Sequence, residues 1–290
     1  MDNIFNDYDY EKEYDCAEYI KCNHFSKLMF LIININSIPN GYFILKNYIS
    51  SNKNEINKKN TREWTALHIA ARNSKIYGLE TVKLLLKNGA DINLTNEYGW
   101  TALMMAARYS NTNSNLETVK LLLENGADVI FTELNGWTAL LLAAAVSNTN
   151  SNLGTVKLLL ENGADINLTN DNGYTALMLA ARYSNTMSSL ETVRLLLEKG
   201  ADVNLANEDS WTALMMAAQY SDTLSNLETV KLLLEKGANV NLISKENKTF
   251  FDYVPIKYLQ ECLDIVYQIE HHKLCMKKLL KPISKDIEFE

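Results

Sequence analysis

The chain has 290 residues, of which 47% are hydrophobic, so it can bury a substantial core in one or two domains. Its formal net charge is −7, and nearly all of that charge lies in the first 19 residues, where there are seven acids and one base. A nucleic-acid partner is not expected, because the sequence has no concentrated basic footprint.

The cysteines and the apolar runs indicate the cellular setting. The four cysteines form no CxxC pair, which is typical of reduced thiols. No basic segment precedes an apolar stretch near the N-terminus, so no secretory signal is expected. The apolar run 28–35 is too short to span a bilayer as a helix. These patterns predict a cytoplasmic protein, in a host cytoplasm if the source is a virus, without a membrane partner.

The first 22 residues form an acidic tail that the composition predicts to be disordered. An alternative is a short linear motif in which tyrosines serve as anchors or phosphorylation sites. The tyrosines concerned are Tyr8, Tyr10, Tyr14 and Tyr19.

A repeat of 36 or 37 residues dominates the rest of the chain. The four-residue pattern at Trp64 returns at Trp100, Trp137, Tyr174 and Trp211, and a Gly-Ala-Asp or Gly-Ala-Asn pattern returns in phase with it. The boundaries predicted are a degenerate repeat or cap at 23–60, five clear repeats at 61–96, 97–133, 134–170, 171–207 and 208–244, and a degenerate repeat with a helical cap at 245–290. Regular self-similarity of this kind indicates a solenoid.

Each repeat predicts two helices and an extended turn. In the second clear repeat, Thr101 caps a short apolar helix over 102–108, and a polar loop follows. A second helix begins at Leu116 with an apolar stripe at helical spacing and ends before Gly126. One such unit cannot bury its stripe alone, so the stacking of neighbours must form the core. The fold class predicted is all-α.

These motifs resemble the ankyrin repeat. The segment that starts at Trp64 reads W-T-A-L-H-I-A-A, similar to the signature T-P-L-H-x-A-A, and residues 82–93 resemble the second helix and the start of the finger. Alanine replaces the signature proline in all five copies, and the signature histidine survives only at His68. The long Asn- and Ser-rich loops, the near-identical copies and the many Asn, Ile and Lys residues resemble the ankyrin-repeat proteins of giant amoebal DNA viruses.

The resemblance implies a non-enzymatic protein that binds another protein with its finger tips and the concave face of its first helices. The positions carried over include Leu134 at a finger tip and two aromatic columns: Trp64, Trp100, Trp137, Tyr174 and Trp211, and Tyr109, Tyr183 and Tyr220, with Val146 interrupting the second. Trp, Tyr and Arg are frequent hot spots of interfaces. The alternative is that each Trp packs over its own finger.

The third clear repeat departs from its neighbours. Ile130 and Phe131 stand where other repeats have Asn and Leu, and Ala145 and Val146 stand where others have Arg and Tyr. One hypothesis is an apolar patch with acidic fingers on its C-terminal side; its residues are Leu134, Trp137, Ala145 and Val146, flanked by Tyr109 and Tyr183. The alternative is drift after duplication.

The sequence has few features of other classes of function. The four histidines and the absence of nucleophile, phosphate-binding or metalloprotease motifs argue against an enzyme, and no cofactor is expected. Two sets of side chains are candidate zinc ligands, although neither has standard spacing: Cys16, Cys22 and His24, and Cys262, His271, His272 and Cys275. An F-box-like segment at 254–266 would indicate a ubiquitin-ligase adaptor, and a virion component is another alternative. The expected state is a monomer with an unidentified protein partner.

Overall fold

Each 37-residue repeat folds as a pair of helices, and an extended finger joins one pair to the next. The computed structural model describes the backbone of residues 25–280 and the side chains of residues 25–272, so the acidic tail and its tyrosines lie outside the described residues. The chain divides into two units at Ala139/Leu140. In the first unit the helices are Lys27–Ile33, Gly41–Ser51, a 3-10 turn Lys53–Glu55, Ala66–Arg72, Ser74–Tyr77, Leu79–Lys87, Ala102–Arg108 and Leu116–Glu124.

The second unit continues the same alternation of short and longer helices. The helix Ala139–Ala145 begins at the division between the units. The helices that follow are Leu153–Glu161, Ala176–Arg182, Leu190–Glu198, Ala213–Gln219, Leu227–Glu235, Phe250–Tyr253 and Ile256–Leu280. The predicted helices over 102–108 and from Leu116 are confirmed, as is the closing helix from Ile256.

The first helix of each repeat is short because its signals are local. The hydroxyl of Thr101 accepts a hydrogen bond from the backbone N–H of Met104 at 3.3 Å, and Thr175 and Thr212 cap their helices in the same way. Ala106 and Ala107 are fully buried, so the small side chains let neighbouring helices approach closely. These helices form the core of each unit.

The second helices carry the apolar stripe on one side only. Asn115 accepts a hydrogen bond from the N–H of Thr118 at 2.9 Å, and Val119 and Leu122 are fully buried. The helix ends where Gly126 adopts a φ of 87°, which an L side chain rarely tolerates. The first clear repeat differs: the stretch expected to be a loop contains the helix Ser74–Tyr77, with Tyr77 buried, because that connection lacks the long Asn/Ser/Thr run.

Two ladders of polar side chains join neighbouring repeats within a unit. At the fingers, the amide oxygen of Asn93 accepts from the N–H of Asp128 at 2.9 Å, and Asn167 does the same for Asp202. Between the helices, the buried hydroxyl of Ser184 lies 2.6 Å from the Thr229 hydroxyl in the next repeat. The hydroxyl ladder satisfies polar groups that stacking would otherwise bury without partners, whereas the finger ladder joins exposed groups.

Candidate functional site

Each finger is built on one buried polar side chain. The amide oxygen of Asn96 accepts from the backbone N–H groups of Tyr98 and Trp100, at 3.0 and 2.9 Å. Asn170 and Asn207 hold their fingers in the same way. Neighbouring fingers are also joined, as where the N–H of Glu208 donates to the carbonyl oxygen of Asn172 at 3.2 Å. The base of each finger is therefore fixed by hydrogen bonds while its tip is free to contact other molecules.

The exposed tips are mostly charged. In the first unit the tips include Glu63 and Glu97, and the guanidinium of Arg62 lies 3.7 Å from the Glu97 carboxylate. In the second unit the exposed tip residues are Asp171, Asn172, Glu208, Asp209, Lys245 and Glu246. Acidic groups thus predominate on the fingers of the fourth and fifth repeats.

Two of the five rings in the first aromatic column are buried in the fold. Trp64 and Trp100 are buried, so the expectation that they are contact surface is wrong. Trp64 packs against His68, with ring centroids 5.9 Å apart. Trp137, Tyr174 and Trp211 are half-buried. The structural alternative, in which the ring packs over its own finger, therefore describes the first two members.

The second column is buried further, and arginines stack against its rings. Tyr109 and Tyr183 are 5% exposed, and only Tyr220 is half-buried. The guanidinium of Arg72 lies 4.6 Å from the Tyr109 ring centroid, and that of Arg182 lies 4.5 Å from the Tyr220 centroid. Each stack joins the arginine of one repeat to the tyrosine of the next. A cation over an aromatic face is favourable when both groups lose water.

The prediction of an apolar surface patch in the third repeat is also wrong for most of its residues. Ala145 and Val146 are 0% and 2% exposed, because their short side chains lie within the packed helix ends. The flanking Tyr109 and Tyr183 are buried as well. The apolar surface of this repeat lies instead on its finger, where Leu134 is 69% exposed and Ile130 is 55% exposed.

The finger of the third repeat has a residue that sequence reasoning missed. Glu133 stands in register with Asn96, Asn170 and Asn207, is buried, and accepts from the N–H groups of Asn135 and Trp137 at 2.9 and 3.2 Å. A carboxylate thus replaces the amide at the base of the finger. The 37-residue register was the signal that could have revealed it.

His68 is a structural histidine. Its Nδ1 accepts from the backbone N–H of Thr65 at 3.1 Å, so Nε2 carries the proton and donates to the carbonyl oxygen of Trp100 at 2.9 Å. Burial lowers the pKa of His68 to about 4. The side chain is neutral and fully bonded, an arrangement that holds the finger and leaves no ring nitrogen for chemistry.

The residues weighed as zinc ligands do not come together where the structure describes them. The set with Cys16 lies outside the described residues, and the side chain of Cys275 does too. Cys262 is buried, which raises the pKa of its thiol to about 11, whereas His271 and His272 are exposed. Among the described residues, no three His, Cys, Asp or Glu side chains are grouped to hold a metal ion. None of the described helices combines the length and apolarity that a bilayer crossing requires.

Comparison with known proteins identifies the repeat. A family model described as ankyrin repeats (3 copies) matches residues 31–133, 74–169, 111–207 and 140–244. The ankyrin repeat proteins L86 and L289 of Acanthamoeba polyphaga mimivirus are 47% identical over 88 residues and 42% identical over 90. Each match covers 30% of this chain but only 15% and 16% of the two relatives, so the chain spans a small part of their length.

The fold agrees with a solved structure. The ankyrin repeat domain of Bcl-3, a member of the IkappaB protein family, superposes with a TM-score of 0.66 at 26% identity, covering 83% of this chain and 98% of that chain. The family model of the ankyrin repeats matches well over half of the chain. The protein belongs to the ankyrin-repeat family.

Proposed function

We propose that this chain is a non-catalytic protein-binding module that contacts its partner through the finger tips and the adjoining ends of the first helices. The observation that carries the proposal is the contrast within each finger. Its base is fixed by a buried amide or carboxylate, while its tip presents exposed side chains of varied chemistry. A rigid base reduces the entropy lost on binding, so such tips suit recognition.

Within the first unit, the finger of the third repeat is the strongest contact candidate. Leu134 and Ile130 are exposed apolar side chains, whereas the exposed tips of the other fingers of this unit include the acids Glu63 and Glu97. Apolar side chains that become buried on binding contribute most when polar groups surround them. The half-buried Trp137 of the same finger extends this apolar surface.

A display experiment tests the proposal. The full chain is panned against a random peptide library and against proteins of an amoebal lysate, since the matched mimivirus proteins indicate a virus that infects an amoeba. Leu134→Asp should weaken the selected ligands by about tenfold or more, because an apolar contact of roughly 1.5–3 kcal/mol is lost. Leu153→Asp is the matched control, since Leu153 is an exposed leucine at the start of a second helix. Equal affinity of the two variants would refute the assignment.

The closing helix favours a second candidate, the ubiquitin-ligase adaptor. Ile256, Leu263 and Tyr267 are exposed apolar side chains on the helix Ile256–Leu280, 91%, 42% and 71% exposed. A capping helix needs no such surface on its outer side. Co-purification with a Skp-type adaptor that is lost in Leu263→Glu would support this candidate, and its absence with the intact chain would remove it.

A further inference from the structure

Arg182 is a buried cation that has no anionic partner among residues 25–272. The residue ends the first helix of the fourth repeat and is only 6% exposed. Its guanidinium carbon lies 4.5 Å from the Tyr220 ring centroid and 5.3 Å from that of Tyr183. Its Nε is shielded from water and has no acceptor. Across residues 25–272, no carboxylate lies within 4 Å of this guanidinium.

Arg72 and Arg108 at the equivalent positions also have a shielded Nε, but their surroundings differ from those of Arg182. Arg72 is buried and stacks on Tyr109 in the same way, but its Nη1 donates to the Asn73 amide oxygen at 3.5 Å. Arg108 is half-buried, and Gln219 in the fifth repeat is exposed and uncharged. The tyrosine that follows Arg182 has no amide group to offer in place of Asn73.

Stacking leaves the recognition edge of the guanidinium unused. An aromatic ring contacts the flat face, whereas the five N–H donors lie in the plane and point outward from its edge. A buried donor without an acceptor costs about 1–3 kcal/mol, and a charged one costs more. An incoming carboxylate would accept two of these N–H groups side by side, the geometry that arginine favours.

The surrounding charges select the kind of anion. The fingers of the same two repeats expose Asp171, Glu208 and Asp209, and Asp209 interacts electrostatically with Tyr174, as Arg182 does. These acids repel a phosphate dianion more strongly than a carboxylate monoanion. They also attract basic side chains that flank the carboxylate.

We propose that Arg182, held between Tyr183 and Tyr220, anchors an aspartate or glutamate side chain of the protein partner, with Lys or Arg next to that residue contacting the finger acids. This inference rests on the proposed protein-binding function and names the chemistry of the ligand. The anchoring carboxylate completes the hydrogen bonding of a cation that stacking has already fixed in place.

The first test needs no partner. The chain has five arginines, Arg62, Arg72, Arg108, Arg182 and Arg194, so ¹⁵N-labelled arginine gives five Nε–H signals. Sodium acetate, added at constant ionic strength against chloride, should shift the Arg182 signal saturably. The signal of Arg194, an exposed arginine on a second helix, should move much less. Equal movement of the two signals would overturn the proposal, and so would tighter binding of inorganic phosphate than of acetate.

The second test uses blocked tripeptides and matched variants. Lys-Glu-Lys should bind at least about tenfold more tightly than Lys-Gln-Lys, and Arg182→Met should remove the difference while Arg194→Met keeps it. Circular dichroism melting of both variants checks that they fold. Equal binding of the two peptides would overturn the anchor. If acetate and Lys-Glu-Lys bind as expected but panning selects no protein ligand, the proposed function fails while carboxylate binding by Arg182 stands.

Discussion

His68 couples the stability of the first unit to pH. The unfolded chain protonates this histidine near pH 6.5, whereas the folded chain keeps it neutral down to a pKa of about 4. Protonation of Nδ1 would also break the hydrogen bond from the Thr65 N–H. The stabilisation is therefore complete above pH 6.5 and is lost as the pH falls towards 4, by an amount on the order of 3 kcal/mol.

A variant isolates this contribution from that of the carboxylates. His68→Met introduces the residue that Met104 and Met215 supply at the same position of other repeats. Urea unfolding at pH 7, 5.5 and 4.5 should show a steeper loss of stability in the unchanged chain than in the variant. Parallel pH profiles would show that His68 does not titrate as described.

At the residue scale, the sequence predicted which positions recur but not which are exposed. The aromatic columns are real as register positions, and the structural role of His68 followed from the family signature. Tyr109 is buried and packs against Arg72 of the preceding repeat, a contact that no local pattern encodes. The burial of Val146 is likewise not encoded locally. Its replacement of a tyrosine suggested an exposed apolar position, but the side chain is buried in a packed position.

At the scale of single elements, the glycines at the helix ends and those in the fingers have different structural roles. Gly200 ends a second helix with a φ of 91°, and a Cβ there would meet nothing within 4 Å. Gly173 lies in a finger with a φ of 77°, and a Cβ would come within 2.8 Å of the Glu208 backbone nitrogen. The finger glycine is therefore needed both for its dihedral angle and for the close approach of the next finger.

Alanine substitution should separate the two roles. Gly200→Ala should cost about 1–2 kcal/mol, the strain of a left-handed alanine. Gly173→Ala should cost roughly 1–3 kcal/mol more, because the backbone of the neighbouring finger must shift. Denaturant unfolding of both variants gives the comparison. A Gly200→Ala cost equal to or above that of Gly173→Ala would contradict the close packing of the fingers.

Helix bounds were the most predictable elements because their signals are local. A threonine before an apolar run fixed the start at Ala102, and Asn125-Gly126 fixed the end of the helix from Leu116. The helix Ser74–Tyr77 was missed because it depends on the short connection of its repeat and on contacts with the next one. Its N–H at Lys75 donates to the Asn113 carbonyl oxygen at 3.1 Å.

At the scale of the whole molecule, stability is a sum of repeats and their junctions. The buried hydroxyl of Ser184 is shared with Ser225 and Thr229 at 3.0 and 2.6 Å, whereas the equivalent Ser221 bonds only to the Ala218 carbonyl within its own repeat. Ser184→Ala should therefore destabilise the chain by about 1–3 kcal/mol, since two buried hydroxyls lose a partner. Thermal or urea unfolding against Ser221→Ala, expected to cost less, checks this.

The fold class also followed from the sequence at this scale, because two motifs recur in phase. The identity of the contact surface did not, since near-identical copies carry the same residues whether they bind or support the fold. The structure reduces the ten candidate positions to one exposed residue, Leu134, and four half-buried rings, Trp137, Tyr174, Trp211 and Tyr220. Partner binding at these five positions stays a prediction.

Hydrogen exchange with and without a panned ligand tests the finger-tip assignment most directly. Slower exchange is expected at the finger tips, around 97–100, 134–137, 171–174 and 208–211, and at the C-terminal ends of the first helices. The second helices, such as Leu116–Glu124 and Leu190–Glu198, should exchange as in the free chain. Protection that falls on the second helices while the fingers stay unchanged would contradict the account.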